Sequence, residues 1–230
     1  MFETSTHSID LSRLTGNVIR RANQPTDAAL TPAERAAMIF QAARKIEELL
    51  SIFQIDCQHD TQTSGTPLRV AKMFVNELMR GRFTEPPELT EFESVSNSGE
   101  MIITGPIRVH STCAHHLLPI YGDAFIGVLP SATGNVVGLS KYDRIVSYFS
   151  ARLQVQEELV AQIGKYIMER TKPSGLAVRI SAVHMCKTHR GVYGSHESRM
   201  VTSEFFGTMS VDAVAKADFA RECLALGAAR

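Results

Sequence analysis

Two short clusters of cysteine and histidine have the residue types and the spacing of metal ligands. Cys113 and His116 stand three positions apart, and His184 and Cys186 stand two positions apart. Thiolate and neutral imidazole are the ligands that zinc, a borderline-soft cation, prefers. The first spacing lets both side chains reach one ion across a tight bend, and the second places both on one face of a predicted strand. Together the clusters predict one metal site where two strands of a sheet end.

Three interpretations of these clusters stay open on spacing alone. The first is a set of buried thiols and hydrogen-bonded histidines without a metal. The second is a closed structural site of two cysteines and two histidines. The third is a catalytic site with three protein ligands and an open position for water, which leaves two histidines for proton transfer beside the ion.

A candidate anion site follows at the predicted start of a helix. Ser140 is expected to cap this helix, which leaves backbone N–H groups free at the positive end of the helix dipole. Lys141 and Arg144 are three positions apart and share one helix face. Arg190 follows Cys186 by four positions and would bring a further cation beside the metal. These residues predict a phosphate site, and the alternative is an ordinary solvated helix start.

A third candidate segment opens the next predicted helix with Gln154-Val-Gln156-Glu157. The carboxylate of Glu157 can accept the paired N–H donors of a guanine edge, a geometry that carboxylates fit well. The alternative is a routine negative charge at a helix N-terminus.

Composition limits the classes of partner. The chain has 230 residues, with 24 Lys plus Arg and 24 Asp plus Glu, so its formal net charge is zero. No basic excess is present to neutralise a phosphate backbone, so we expect no nucleic-acid partner. The sequence shows neither a membrane-spanning apolar run nor a signal peptide after Met1, so we expect no membrane partner and a cytoplasmic location. Four scattered cysteines are typical of thiols or metal ligands in a reducing compartment.

The elements that must position these residues are predicted from hydrophobic periodicity and from turn signals. Thr31, Pro32 and Glu34 form a capping-box start for a helix that reaches about Phe53. A second helix begins at Thr66 and ends before Gly81, with Val70, Phe74 and Leu78 on its apolar face. Farther along, the patterns predict strands at 101–110, 123–129, 176–185 and 200–209, a turn at 131–135, and helices at 140–152, 155–170 and 212–226.

This order predicts an α+β fold, with an antiparallel four-stranded sheet and helices on one face. We expect a helical N-terminal region and connector over 1–100, which includes a polar arm to about residue 30, and a catalytic domain over 101–230.

Six motifs occur together and in order, and they closely resemble those of the GTP cyclohydrolase I family, the first enzymes of folate and tetrahydrobiopterin synthesis. The resemblance covers roughly residues 31 to 225. The motifs are Thr66-Pro-Leu-Arg-Val-Ala-Lys-Met73, Cys113-x-His-His116, Gly138-Leu-Ser-Lys141, Arg144-Ile-Val146, Gln154-Val-Gln-Glu157 and Ala182-Val-His-x-Cys186-x3-Arg-Gly191.

The resemblance implies a tunnelling fold and a toroidal homodecamer with active sites between subunits. It implies hydrolysis of GTP, with C8 lost as formate, to give 7,8-dihydroneopterin triphosphate. Zinc is the implied cofactor, with Cys113, His116 and Cys186 as its ligands, and it lowers the pKa of a bound water so that a nucleophile for C8 exists near neutral pH.

The resemblance also assigns roles to the remaining candidates. His115 corresponds to the histidine that protonates the purine, and His184 to one that assists the later hydrolysis. Glu157 matches the guanine-binding segment together with Gln156. The triphosphate cluster is matched by Ser140, Lys141, Arg144 and Arg190, with Arg69 and Lys72 as further candidates.

The sequence departs from the family pattern at three places. Ala114 replaces the usual glutamate between the zinc-ligand cysteine and the two histidines. Ala151-Arg-Leu153 stands where an Arg-Pro step is usual, and the loop 193–198 brings in His196 and Glu197, for which the alternative is an exposed loop. Three outcomes are compatible with these changes: a full cyclohydrolase, an enzyme that stops at the ring-opened formamide or uses another purine nucleotide, and a non-catalytic protein that binds nucleotide or a partner.

Overall fold

The computed structural model of the protein describes residues 20–93, 100–131 and 134–228. The chain divides between Glu85 and Pro86 into two compact units, which are described separately. The predicted arm before residue 20, part of the predicted connector (94–99) and part of the predicted turn (132–133) lie outside the described residues. Within those ranges, none of the helices combines the length and the apolar character needed to cross a membrane.

The first helix of the N-terminal unit, α1, spans Pro32–Ile52 and has the predicted capping box. The Thr31 hydroxyl accepts a hydrogen bond from the Glu34 amide at 3.2 Å, and the Glu34 carboxylate accepts one from the Thr31 amide at 2.8 Å. Two backbone donors at the helix start are therefore satisfied reciprocally, as such a motif requires. The predicted limits of α1 are confirmed.

The second helix differs from its prediction. Helix α2 spans Thr66–Met73, a π-helical turn follows over Phe74–Leu78, and a short helix α3 spans Arg80–Phe83, so Gly81 lies inside a helical turn. The helix that begins at Thr66 therefore ends before Gly81, as predicted, and Gly81 belongs to the separate short helix α3. The most buried positions on α2 and the π-helical turn are Pro67, Ala71 and Val75, while the predicted apolar face is only half-buried. The small side chain of Ala71 does not stand out in a hydrophobic pattern, although it permits close packing.

The C-terminal unit is built on β-strands. The strands are β1 (Glu91–Glu93), β2 (Ile102–Cys113), β3 (Pro119–Leu129), β4 (Asn135–Val137), β5 (Leu153–Gln154), β6 (Gly175–His184) and β7 (Arg199–Gly207). Five of them form one sheet with the order β5-β2-β3-β6-β7. Strands β2, β3, β6 and β7 pair antiparallel, as predicted, and β5 lies parallel to β2 at its edge. A separate antiparallel pair joins β1 and β4.

Two helices, α4 (Leu139–Ser150) and α5 (Gln156–Thr171), cover one face of this sheet. Their buried residues, such as Ile145 and Ile163, form one core with the inward-facing residues of β2, β3 and β6. The α+β class is therefore confirmed, and so is this helical face.

The C-terminal helix α7 (Ala213–Ala228) belongs to a second, smaller core. Phe219 and Cys223 of α7 pack there with Phe125 and Ala177, whose strand neighbours belong to the larger core. Successive residues of a strand point to opposite faces, so α7 covers the face opposite to α4 and α5. The expectation of helices on one face only is wrong for this helix, because β3 and β6 carry apolar residues on both faces.

Candidate metal centre

The first ligand pair lies at a tight bend between β2 and β3. Cys113 ends β2, and its amide donates to the Leu118 carbonyl at 2.8 Å while its carbonyl accepts from the Leu117 amide at 2.9 Å. Leu117 adopts a left-handed conformation, with φ 56°, which closes the bend. The bend returns the chain past Cys113, so His116 and Cys113 lie side by side, as their spacing predicted.

The second ligand segment differs from its prediction. Strand β6 ends at His184, and Met185–Thr188 form a one-turn helix, α6, that carries Cys186. The amide of His189 donates to the Met185 carbonyl at 2.9 Å and closes this turn. His184 and Cys186 therefore do not share the face of a strand, as their spacing suggested, because the chain turns between them.

These two segments bring three potential ligands together. The ligand atoms of Cys113, His116 and Cys186 all lie within 4.8 Å of one another. Ligands at zinc–sulfur and zinc–nitrogen distances of about 2.0–2.3 Å in a tetrahedral site stand about 3.5–3.8 Å apart, so a small contraction would place them around one ion. Two thiols and one imidazole are also the donor types that zinc prefers. The residues therefore fit a zinc ion.

The burial of the three ligands is graded. Cys113 is buried at 3% exposure, Cys186 is half-buried, and His116 is exposed. Burial, together with the neighbouring Cys113 thiol, raises the pKa of Cys186 in the metal-free protein. The nearby Arg190 guanidinium acts in the opposite direction and favours the thiolate. The cluster thus has a buried side and a side that a small molecule can approach.

The two remaining histidines flank the ligands in sequence, His115 directly before His116 and His184 two positions before Cys186. The His115 Nδ1 atom lies 3.9 Å from the Cys113 sulfur, and the His115 ring is exposed. His184 is half-buried, and burial lowers its pKa, an effect that Glu157 opposes and Lys187 reinforces. The structure thus brings Glu157 and Arg190, two predicted substrate ligands, into the electrostatic surroundings of the cluster.

Gln156 lies beside His184 but is not open to solvent. It is the first residue of α5 and is 1% exposed. Its Oε1 atom lies 2.7 Å from His184 Nε2. Its Nε2 atom donates to the carbonyl oxygens of Ile180 and Met200 and to the Thr202 hydroxyl, at 3.2, 3.0 and 3.0 Å. No pattern in the sequence indicates this network, which joins one helix to two strands.

Ser140 and Lys141 of the predicted phosphate cluster lie at the other end of α4 from the metal ligands, and Arg144 lies at the middle of this helix. The C-terminal end of α4 leads into β5, whose Gln154 pairs with Cys113. Ser140 is ten residues before the last residue of α4, which corresponds to about 15 Å along an α-helix. Within one chain, Ser140 therefore does not join the metal cluster.

The phosphate cluster on α4 differs from its prediction in one respect. The N-cap residue of α4 is Gly138, without a side-chain cap, so the expectation that Ser140 caps the helix is wrong. Ser140 and Arg144 are exposed, and the Lys141 ammonium donates to the Glu88 carbonyl at 3.1 Å. Because Ser140 does not cap, its hydroxyl is available to a ligand.

Arg69 and Lys72 lie on α2 in the N-terminal unit. The Arg69 guanidinium donates to the Gln62 carbonyl at 3.2 Å and to the Thr66 hydroxyl at 3.1 Å. Their assignment to the triphosphate stays a prediction. His196 and Glu197 are exposed in the loop before β7, which agrees with the exposed-loop alternative.

Comparison with known proteins identifies the family. The sequence profile of GTP cyclohydrolase I matches residues 42–224. The GTP cyclohydrolase 1 of Flavobacterium johnsoniae is 41% identical over 165 residues, which cover 71% of this chain and 72% of that protein. The enzyme of the same name from Thermobifida fusca is 38% identical, over 73% of this chain and 79% of that protein. The one from Bartonella quintana is 44% identical, over 67% of this chain and 74% of that protein. The expected tunnelling-fold class is confirmed by this match, and the chain belongs to the GTP cyclohydrolase I family.

Proposed function

We propose that this protein is a zinc-dependent GTP cyclohydrolase I, which hydrolyses GTP, releases C8 as formate and forms 7,8-dihydroneopterin triphosphate. One observation carries the proposal: three zinc-type ligands lie within 4.8 Å of one another, and the Nδ1 atom of a further histidine, His115, lies 3.9 Å from the Cys113 sulfur. A closed structural site of four ligands would need His184 as the fourth, but among the described residues only Cys113, His116 and Cys186 have ligand atoms that all lie within 4.8 Å of one another. The family match and the relatives' names support the same reaction.

Cys113, His116 and Cys186 hold the zinc ion in this proposal. When bound there, zinc supplies an acidified water that is a competent nucleophile near neutral pH. The exposed His116 side of the cluster leaves room for the purine to approach. The buried Cys113 side is supported by the hydrogen bonds of the bend, which hold the sulfur in place.

Two histidines of the chain handle protons. His115 donates a proton to N7 of the purine, which makes C8 electrophilic, and an imidazole has a suitable intrinsic pKa for this step. His184 assists the second hydrolysis, in which formate leaves. Its lowered pKa favours the neutral form, which is the form that accepts a proton.

Substrate binding uses two kinds of contact. The exposed carboxylate of Glu157, at the start of α5, accepts the N–H donors of the guanine edge. Arg190, close to Cys186, meets the triphosphate chain near the metal. Anchoring both ends of the nucleotide fixes the position of C8, and such positioning is a large part of catalysis in general.

The rest of the triphosphate site is supplied by another subunit. Ser140 and Lys141 lie in the first turn of α4, at the far end from the ligands of their own chain, and Arg144 lies at the middle of the helix. A second copy is the simplest source of this cluster for each metal centre. We therefore infer a homo-oligomer with sites between subunits, the homodecamer of the family. Arg69 and Lys72 are proposed as further phosphate contacts.

The domain division and the cellular location complete the proposal. Helices α1, α2 and α3 lie in the unit that ends at Glu85, and the five-stranded sheet lies in the unit that begins at Pro86, which supports a helical N-terminal region followed by a tunnelling-fold catalytic domain. All four cysteines are free thiols, as expected in the reducing cytoplasm.

Product analysis tests this proposal. The zinc-loaded protein is incubated with GTP, and the pterin fluorescence and the released formate are followed together. The proposal predicts both products in equal amounts. A ring-opened formamide without pterin would show that the reaction stops after the first hydrolysis, and GTP binding without turnover would show a nucleotide-binding protein; either result contradicts the proposal.

A further inference from the structure

The carboxamide of Gln156 has a fixed orientation. Its Nε2 atom faces the carbonyl oxygens of Ile180 and Met200, which only accept hydrogen bonds. The opposite orientation would place Oε1 against these two oxygens, with no donor between them. The hydrogen-bond network therefore requires the NH₂ group on this side, and Oε1 must face His184.

This orientation determines the tautomer of His184. The oxygen of a carboxamide only accepts, so the hydrogen bond of 2.7 Å to His184 Nε2 requires a proton on that nitrogen. In the neutral ring the second nitrogen, Nδ1, is then the unprotonated one. Gln156 also holds the plane of the ring, because it is itself buried and tied to two strands.

We propose that Gln156 is a positioning residue that holds His184 in the Nε2–H tautomer and leaves Nδ1 as its proton-accepting atom. The inference rests on the proposed function and deepens it, because His184 is the histidine assigned there to the second hydrolysis. It replaces the expected contact of Gln156 with guanine. The two N–H hydrogens of Gln156 already serve three acceptors, its oxygen serves His184, and its side chain is buried.

The first test compares binding with turnover in the zinc-loaded, full-length protein. Gln156→Met keeps the length of the side chain and removes its polar atoms, and Glu157→Gln neutralises the proposed guanine ligand. We expect Gln156→Met to lower kcat at least tenfold and to change the Kd of GTP by less than about threefold, since proton transfer by a placed side chain contributes about 10²–10⁴-fold. Glu157→Gln should raise that Kd at least tenfold. Equal weakening of GTP binding by both variants would overturn the proposal.

The second test separates positioning from general support of the fold. In a His184→Ala background, the residue through which Gln156 acts is missing, so adding Gln156→Met should cost little further rate. Single-turnover measurements with excess enzyme keep slow reactions measurable, and Lys165→Met, a change to methionine at an exposed position of the same helix, is the control. A full tenfold loss that persists in the His184→Ala background would overturn the proposal.

A spectroscopic readout tests the inference without turnover. Histidine labelled with ¹⁵N reports which ring nitrogen carries the proton, and the His184→Ala variant assigns the signal. We expect His184 of the zinc-loaded protein to be protonated on Nε2, and Gln156→Met to produce a mixture of tautomers. A His184 ring protonated on Nδ1 alone would contradict the inference, even for a protein that releases formate. Conversely, an Nε2–H ring in a protein without turnover would leave the inference standing and remove the proposed function.

Discussion

Ala114 donates its backbone N–H to the carbonyl oxygen of Gln154 at 3.0 Å, which ties the bend of the metal ligands to β5. Gln154 is fully buried, and the Nε2 atom of its side chain donates to the Phe149 carbonyl at 2.7 Å and to Gln162 Oε1 at 3.0 Å. The backbone at position 114 is thus anchored whatever its side chain. What the alanine lacks is a carboxylate beside two histidines.

Restoring that carboxylate should strengthen the metal site. We predict that Ala114→Glu raises the affinity for zinc by about tenfold, because a carboxylate that orients a metal-bound imidazole is commonly worth 10- to 100-fold. Zinc affinity is measured by competition with a chelator, and Ala43→Glu on α1 is the control. Unchanged or weaker zinc binding in Ala114→Glu would show that Ala114 does not lower the zinc affinity of this site.

Removing one sulfur should remove the metal. Cys186→Ser is predicted to lose bound zinc and activity together, because a serine hydroxyl does not ionise to a ligand as a thiol does. Metal content is measured by elemental analysis. The matched control is Cys223→Ala, since burial raises the pKa of Cys223 to about 11 and keeps it a neutral core thiol. Turnover that survives in zinc-free Cys186→Ser would exclude the zinc mechanism.

Substitution of His115, the exposed histidine next to Cys113, should lower turnover without releasing the metal. His115→Ala is predicted to lower kcat at least about 100-fold while zinc stays bound, because the loss is that of a general acid. His196→Ala changes another exposed histidine and should alter the rate by no more than about twofold. If His115→Ala releases the metal, His115 acts as a ligand and its assigned role is wrong.

The metal ligands and the phosphate cluster can be damaged separately, which allows a test of sites shared between subunits. Cys113→Ser damages the metal cluster and Arg144→Ala damages the phosphate cluster, so each variant alone should be nearly inactive. In a mixed oligomer, some sites combine an intact metal cluster with an intact phosphate cluster of another subunit, and activity should return. Mixed oligomers without recovered activity would place both clusters in one chain's site.

The ligand residues were predictable from the sequence because their types and short spacings are local features. Cys113 and His116 are joined by one bend, and the family motifs around them are distinctive. The position of Cys186 was predicted for an incorrect reason, since an alternation over two residues does not reveal that β6 ends at His184. Strand β5 is only two residues long and has no periodicity to detect.

Contacts between distant segments could not be predicted in this way. The hydrogen bond from His184 to Gln156 depends on how α5 packs across β6 and β7, and neither residue carries a sign of its partner. The same limit applies to α7, whose pattern predicts a helix but not the face of the sheet that it covers. The assignment of Ser140 as a cap was wrong because Gly138 already has the extended backbone from which α4 begins.

The fate of carbon 8 tests the central claim most directly. GTP labelled with ¹³C at C8 is incubated with the zinc-loaded protein, and NMR follows the labelled carbon. The proposed reaction predicts that all of the label in converted substrate appears as formate, one per molecule of dihydroneopterin triphosphate, and that removing the zinc stops its release. Label that stays in GTP, or that is retained in a nucleotide product, would contradict the assignment of this protein as a GTP cyclohydrolase I.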